Sequence, residues 1–145
     1  MSFDQLTEDD VVEAVCRHLE SKRFTIEQRL TTKQQGDDIV AMRPGMTRYV
    51  EAKGATSARA GSQRFGRPFD SAQARVHVAE AVYKAIQVLA RANGNEGAHA
   101  AVALPANSVH RREITPVVPI LEKLGITVFW VKGMSEIEES GAAIL

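Results

Sequence analysis

A Pro44–Gly45 dipeptide separates two apolar runs, and charged residues lie at the far end of each run. Residues 36–54 read GDDIVAMRPGMTRYVEAKG. Proline followed by glycine is typical of a tight turn, so DDIVAM and TRYVEAK are predicted to be the strands of a β-hairpin. If the turn is centred on this dipeptide, Asp38 lies directly opposite Glu51. A slip of one residue would turn every side chain to the other face.

The predicted register creates an electrostatic problem, because it opposes two carboxylates. Side chains alternate along a strand, so Glu51 and Lys53 share one face. Opposed carboxylates destabilise the pairing unless a cation lies between them. A divalent ion such as Mg²⁺ would suit, since it binds a few carboxylate oxygens and keeps several waters. A surface salt bridge of Lys53 on a solvated face explains the pattern equally well.

Two other features of the sequence bear on the hypothesis of a metal site, namely a second aspartate beside Asp38 and a second Glu-x-Lys tripeptide. Asp37 competes with Asp38, but strand alternation favours Asp38 and makes Asp37 a solvated turn residue. A second Glu-x-Lys tripeptide occurs at residues 20–22, at the end of a predicted helix where it needs no function. The Glu-x-Lys tripeptide alone is therefore not evidence for a metal site. What favours such a site is the pairing of Asp38 with Glu51 across the hairpin.

The other segments predict an α/β protein with a mixed central sheet flanked by helices. Thr7 and Asp10 form an approximate capping box before a helix over 8–22. Further strands are predicted over 24–31, 98–104 and 126–131, with a long helix from about 70 to 93 and a short helix opened by Pro116. The polar tail after residue 132 is predicted to be a frayed helix. The order is α-β-β-β-α-β-α-β in one domain, 1–145.

Composition places the chain among ordinary globular proteins, with 44% hydrophobic and 25% charged residues. No apolar run is long enough for a membrane span, and the acidic start is unlike a secretion signal, so a cytoplasmic protein without a membrane partner is expected. The single cysteine, Cys16, excludes an internal disulfide and is expected to be buried. Formal net charge is zero, but residues 53–91 carry seven Lys or Arg against two Asp or Glu. This distribution is a weak indication of a polyanionic partner.

The segments GDDIV (36–40) and YVEAKG (49–54) resemble the active-site signature of the PD-(D/E)XK nuclease superfamily, particularly its restriction-endonuclease-like and Holliday-junction-resolvase-like members. The resemblance spans roughly residues 7–105 and implies an αβββαβ core, to which this chain adds an αβ unit. It also implies that Asp38 and Glu51 bind Mg²⁺ or Mn²⁺ with help from the Ala52 carbonyl, and that Lys53 positions or activates the attacking water. In one departure from the pattern, no proline precedes the aspartate.

Several weaker site candidates follow from the resemblance and from charge. Glu13 is a candidate metal ligand from the first helix, although a surface pair with Arg17 explains it equally well. After the second hairpin strand comes an irregular Gly-rich and Arg-rich segment, whose arginines suit phosphate capture as well as they suit a solvated loop. These are Arg59, Arg64 and Arg67.

Polar residues also recur along one stripe of the long predicted helix. They are Gln73, His77, Glu80 and Lys84. Such stripes are usually the solvated face. Gln73, near the helix start, is the member that we expect to contact nucleic acid or lie close to the metal. His77 is expected to be a surface residue rather than a catalytic base.

These observations predict a magnesium- or manganese-dependent nuclease that hydrolyses phosphodiester bonds in nucleic acid, with DNA as the expected substrate. A chain of this length has little room for a separate recognition domain, so a homodimer reaching both strands is expected. Zero net charge and 6% aromatic residues suit a modest binder. A non-catalytic nucleic-acid-binding or assembly protein with the same fold, or a plain interaction domain with an acidic surface hairpin, therefore stay open as alternatives.

Overall fold

A computed structural model describes residues 5–30, 36–56, 69–92 and 95–141. The elements in chain order are α1 (Glu8–Ser21), β1 (Thr25–Arg29), β2 (Ile39–Arg43), β3 (Met46–Ala52), α2 (Ser71–Ala92), β4 (Ala98–Pro105), α3 (Ser108–Ile114), α4 (Val118–Leu124), β5 (Thr127–Gly133) and β6 (Glu136–Gly141). The predicted α/β class and mixed sheet are confirmed. Among the described residues, no helix combines the length and apolar character needed to cross a lipid bilayer.

The six strands form one sheet in which spatial order follows chain order, from β1 to β6. β3 pairs with β4 in parallel, as β4 does with β5, while the remaining neighbours are antiparallel. Parallel neighbours need a crossover connection, and α2 supplies the one between β3 and β4. Because the two strands are parallel, their C-terminal ends lie side by side, with Ala52 of β3 next to Ala103 of β4.

Helices cover both faces of the sheet. On one face α1 buries an apolar stripe that includes Val15 and Leu19, and it packs against Val50 and Ala101. Cys16 is fully buried in the same layer, as predicted. The other face carries α2, α3 and α4, whose buried residues pack against strand residues such as Val102 and Trp130.

The helix α2 turns a face lined largely by alanine toward the sheet. Its buried residues are Ala74, Val78, Ala81, Ala85 and Val88. Ile86 lies off this face and is 41% exposed. Small side chains let a helix approach its neighbour closely, so residues flanking this face lie near the sheet.

Two predictions for the C-terminal third were wrong. The segment around Pro116 contains two helices, because α3 begins earlier, where Asn107 caps it by accepting a hydrogen bond from the His110 N–H, and Pro116 lies in the 3₁₀ turn that follows α3. The tail forms strand β6 rather than a frayed helix. Alternation explains this result, since Ile137 and Glu139 pack inward, Ile137 against the apolar core and Glu139 against cations from α1.

Candidate active site

The hairpin pairs in the predicted register. Ile39 lies opposite Val50, and the same spacing continues to Arg43 and Met46 at the turn. Continued by one residue, this register places Asp38 opposite Glu51, and the charge of Asp38 does act on the Glu51 carboxyl group. Gly45 closes the turn with φ of 77°, in the left-handed region that glycine adopts without strain. The prediction that depended on the Pro44–Gly45 turn is therefore confirmed at the level of strand pairing.

Asp38 is held in place across the hairpin. Its Oδ2 accepts a hydrogen bond of 2.8 Å from the Ala52 N–H. This contact aims the Asp38 carboxylate at the end of β3, where Glu51 and Lys53 also lie. The role expected for the Ala52 carbonyl as a metal ligand stays a prediction.

Glu51 is a buried carboxylate, with only 3% of its surface exposed. Its Oε2 is buried and has no hydrogen-bond partner. Burial and, to a smaller extent, the charge of the adjacent Asp38 together raise the pKa of Glu51 to about 8. An ionised carboxylate in such a place is costly unless a cation neutralises it.

Lys53 lies next to this pair but is engaged by α2. Its Nζ donates a hydrogen bond of 2.8 Å to Oε2 of Glu80, and its side chain is only 12% exposed. Its backbone N–H donates to the Ala103 carbonyl, which fixes the chain just beyond β3. The Lys53 charge also lowers the pKa of Glu8 and of His77. The ammonium thus lies within electrostatic reach of both helical layers.

Glu8 is a site residue that sequence reasoning missed. Burial raises the pKa of Glu8 to about 7, and the charge of Asp38 adds to the increase. The first turn of α1 is brought here because the Ala55 N–H donates to the Leu6 carbonyl over 2.7 Å. Gly54 makes this approach feasible, since a Cβ at that position would stand 2.3 Å from the Glu8 nitrogen. The only signal in the sequence was the glycine after Glu-x-Lys.

Glu13, the metal ligand expected from α1, lies elsewhere. Its carboxylate pairs with Arg17 Nε at 2.9 Å and with Arg29 on β1. The hydrogen bond from Arg17 holds the pKa of Glu13 below its ordinary value, and Arg29 acts in the same direction. The alternative of a surface pair with Arg17 is therefore confirmed. Glu8, one and a half turns earlier on the same helix, is the glutamate that α1 brings to Asp38.

The polar stripe on α2 is not simply a solvated face. Each of its four members lies one position before a buried alanine or valine. Glu80 and Lys84 contact residues at the end of β3. Lys84 Nζ lies 3.6 Å from Glu51 Oε2. Gln73 is used differently, because it and Asp70 form reciprocal side-chain to backbone hydrogen bonds that cap α2. A contact of Gln73 with nucleic acid stays a prediction.

His77 is less exposed than expected. Its ring contacts Phe69 edge-on and stacks on His110 with centroids 6.2 Å apart. Burial lowers the pKa of His77, as does the Lys53 charge, and its buried Nδ1 has no hydrogen-bond partner. His77 is therefore neutral near pH 7 and lies beside the site rather than in solvent.

The remaining candidates have other partners or lie outside the described residues. Asp37 forms a two-pronged ion pair with Arg91 Nη2, at 2.9 and 3.1 Å. Asp37 is therefore not the solvated turn residue that was expected, since it is only 22% exposed and pairs with α2. Arg59, Arg64 and Arg67 lie outside the described residues, so phosphate capture by them stays a prediction.

The site suits an ion that takes few protein ligands. Within the described ranges, no three His, Cys, Asp or Glu side chains are grouped closely enough to hold a metal ion. Asp38 and Glu51 nevertheless offer two opposed carboxylates, one of which has a buried oxygen without a hydrogen bond. Mg²⁺ is commonly held by one or two carboxylates, with water and substrate phosphate completing its shell. The pair therefore fits Mg²⁺ or Mn²⁺ better than a fully protein-ligated metal.

Comparison of the chain with protein-family models, curated proteins and solved structures finds no significant match.

Proposed function

We propose that this chain is a metal-dependent nuclease that hydrolyses phosphodiester bonds in nucleic acid, with DNA as the expected substrate. The observation that carries the proposal is the pairing of Asp38 with buried Glu51 across the hairpin, with Lys53 at the end of the same strand. The resemblance of both strands to the PD-(D/E)XK signature supports it, as does the α-β-β-β-α-β order of the first six elements.

Each side chain at the end of β3 has a separate task in this proposal. Asp38 and Glu51 would hold Mg²⁺ or Mn²⁺ through their carboxylate oxygens. A divalent ion bound there would supply Lewis-acid polarisation of the phosphate and a water of lowered pKa. Lys53 would donate a hydrogen bond to the attacking water, with Glu80 holding its ammonium in position. Glu8 would contribute negative charge that favours a cation.

Adjacent residues of the same type provide a matched test. Asp38→Asn is expected to lower metal-dependent cleavage by at least about 100-fold, since losing even an indirect partner of a metal ligand costs 10- to 100-fold. Asp37→Asn should retain most activity, because Asp37 pairs with Arg91 instead. Likewise Lys53→Met should lose activity while Lys22→Met keeps it. Cleavage of linear, branched and single-stranded DNA with Mg²⁺ or Mn²⁺ measures both comparisons.

Two outcomes would contradict the proposal. If Asp38→Asn and Lys53→Met cleave as well as the wild type, the residues assigned here are wrong. If calorimetry detects no metal binding at millimolar concentration, the enzymatic proposal should be abandoned.

A second candidate is a nucleic-acid-binding or assembly protein without catalytic activity. The favouring observation is that the chain's own cations already face the acidic groups, since Lys84 pairs with Glu51 and Lys53 with Glu80. Retained DNA binding without cleavage under any metal, measured by a gel-shift assay beside the nuclease assay, would support this function instead.

A further inference from the structure

Lys84 is a cation that α2 extends over the carboxylate pair. Its Nζ lies 3.6 Å from Glu51 Oε2, which is close enough for an ion pair. The two side chains differ greatly in exposure, at 48% for Lys84 and 4% for Glu51. The charge of Lys84 lowers the pKa of Glu51, against the larger effects of burial and of Asp38. Lys84 therefore partly neutralises a site that carries two buried or half-buried acids.

The contact is electrostatic rather than a fixed hydrogen bond. Glu51 Oε2 has no hydrogen-bond partner although the ammonium is near. A lysine has a flexible four-carbon stem and a compact, strongly hydrated charge, so a half-exposed one can move into solvent at little cost. The oxygen that Lys84 faces is also the one left free for a metal ion. Two cations close to one oxygen repel each other, so only one can occupy that position.

We propose that Lys84 is a tethered counterion of the Asp38–Glu51 pair in the metal-free protein, and that an arriving divalent cation displaces it. This inference rests on the proposed function in one respect, namely that the carboxylate pair binds a metal ion. Lys84 would then set the metal affinity without being a metal ligand. It would also offset the negative charge of the pair until the metal is bound.

Metal titration of the full chain tests the proposal directly. Lys84→Met retains the length and the apolar stem but removes the competing charge. We expect Mn²⁺ to bind the variant about two- to fivefold more tightly in isothermal titration calorimetry, which corresponds to the usual strength of a half-exposed ion pair. Without metal, the variant should unfold at lower denaturant than the wild type, and saturating Mn²⁺ should remove most of this difference.

Lys123→Met is the control, because it removes the same charge from an exposed position on α4. It should leave the Mn²⁺ affinity unchanged. An unchanged or weaker affinity in Lys84→Met would overturn the proposal, as would an equal gain in the Lys123→Met control. If Lys84→Met does not fold, Lys84→Gln is measured in its place with the same expectation.

Failure of this inference is distinguishable from failure of the proposed function. A tighter Mn²⁺ affinity in Lys84→Met, with no cleavage by the wild type, would refute the nuclease proposal and leave the counterion role intact. Cleavage by the wild type with equal Mn²⁺ affinities would refute the counterion role alone. Absence of Mn²⁺ binding in both proteins would refute both.

Discussion

Glu51 shows how a single residue can be costly to stability and useful to function. It is buried beside another carboxylate, and its nearby lysine does not form a hydrogen bond with it. Replacing such a group by a neutral one is often stabilising in the absence of its ligand. The Glu51 carboxylate is therefore expected to stabilise the metal-bound protein more than the metal-free protein.

The raised pKa of Glu51 predicts a specific dependence of stability on pH. Between its ordinary value and about 8, the folded protein keeps a proton that the unfolded chain has released. The free energy of unfolding of the metal-free protein should thus fall as pH rises through this window, by at most about 1.4 kcal/mol per pH unit for one group. Glu8 contributes in the same direction up to about pH 7.

Urea unfolding in chelator at pH 5.5, 6.5 and 7.5 measures this slope. Glu51→Gln should flatten it, because the amide has no proton to retain. Glu20→Gln, at an exposed position of the other Glu-x-Lys tripeptide, should keep the wild-type slope. Parallel curves for the wild type and Glu51→Gln would contradict the prediction.

At the scale of elements, the placement of α1 depends on one glycine. A Cβ on Gly54 would stand 2.3 Å from the Glu8 nitrogen and 2.6 Å from the Thr7 carbonyl carbon. These are backbone atoms, so the N-terminus of α1 must move to accommodate it. Gly54→Ala should therefore lower the free energy of unfolding by about 1–3 kcal/mol, the usual cost of overpacking, and weaken Mn²⁺ binding by displacing Glu8.

Gly133→Ala is the matched control, since its Cβ would meet no atom within 4 Å. Chemical denaturation and calorimetry of both variants provide the measurement. Equal stability of the two variants would show that α1 does not rest on Gly54 as described.

Glu139 links the strand β6 to neighbouring elements through buried polar contacts. Glu139 accepts hydrogen bonds from His18 and Lys22 on α1 and lies 3.9 Å from Arg48, a guanidinium only 1% exposed. Burial acts to raise the pKa of Glu139, but the hydrogen bonds from His18 and Lys22 and the charges of Lys22 and Arg48 outweigh it and lower the pKa to about 2. Glu139→Gln should cost on the order of 3 kcal/mol of stability at pH 7, because it leaves buried positive charge uncompensated.

The neighbouring Glu138 offers the control. It pairs with Lys132 and is half-exposed, so Glu138→Gln should change stability far less than Glu139→Gln does. The excess cost of Glu139→Gln should disappear as pH falls toward 2, where the wild-type carboxylate also becomes neutral. Thermal unfolding of both variants at pH 7 and pH 3 measures the difference, and equal losses would contradict the assignment.

Features that depend on contacts between residues close in the chain could be predicted from the sequence, whereas features that depend on distant contacts could not. The hairpin register depends on a local turn, so Pro44–Gly45 was sufficient to place Asp38 opposite Glu51. Glu8 could not be placed because its position depends on where α1 docks, a contact between residues far apart in the chain. The tail was mispredicted because the partners that bury Glu139 lie on α1.

At the scale of the whole molecule, the expected mixed sheet and flanking helices are present, and the nuclease assignment stays a proposal. A homodimer also stays a prediction. Closed symmetric dimers are the commonest oligomers, and a second copy would bring a second site to the other strand of a duplex. Analytical ultracentrifugation should give twice the mass of 15.8 kDa, plus the mass of the DNA when a duplex is bound. A monomeric mass under both conditions would contradict it.

The docking of α1 on Gly54 has a consequence for the dynamics of the domain. Glu8 comes from the helical layer on one side of the sheet, whereas Glu80 and Lys84 come from the layer on the other side. A ligand bound at the end of β3 would therefore contact residues from α1, the sheet and α2. Opening of either helical layer would remove part of its binding site. Occupancy of the site would slow amide exchange in α1 and α2 together, although the two helices belong to separate core clusters.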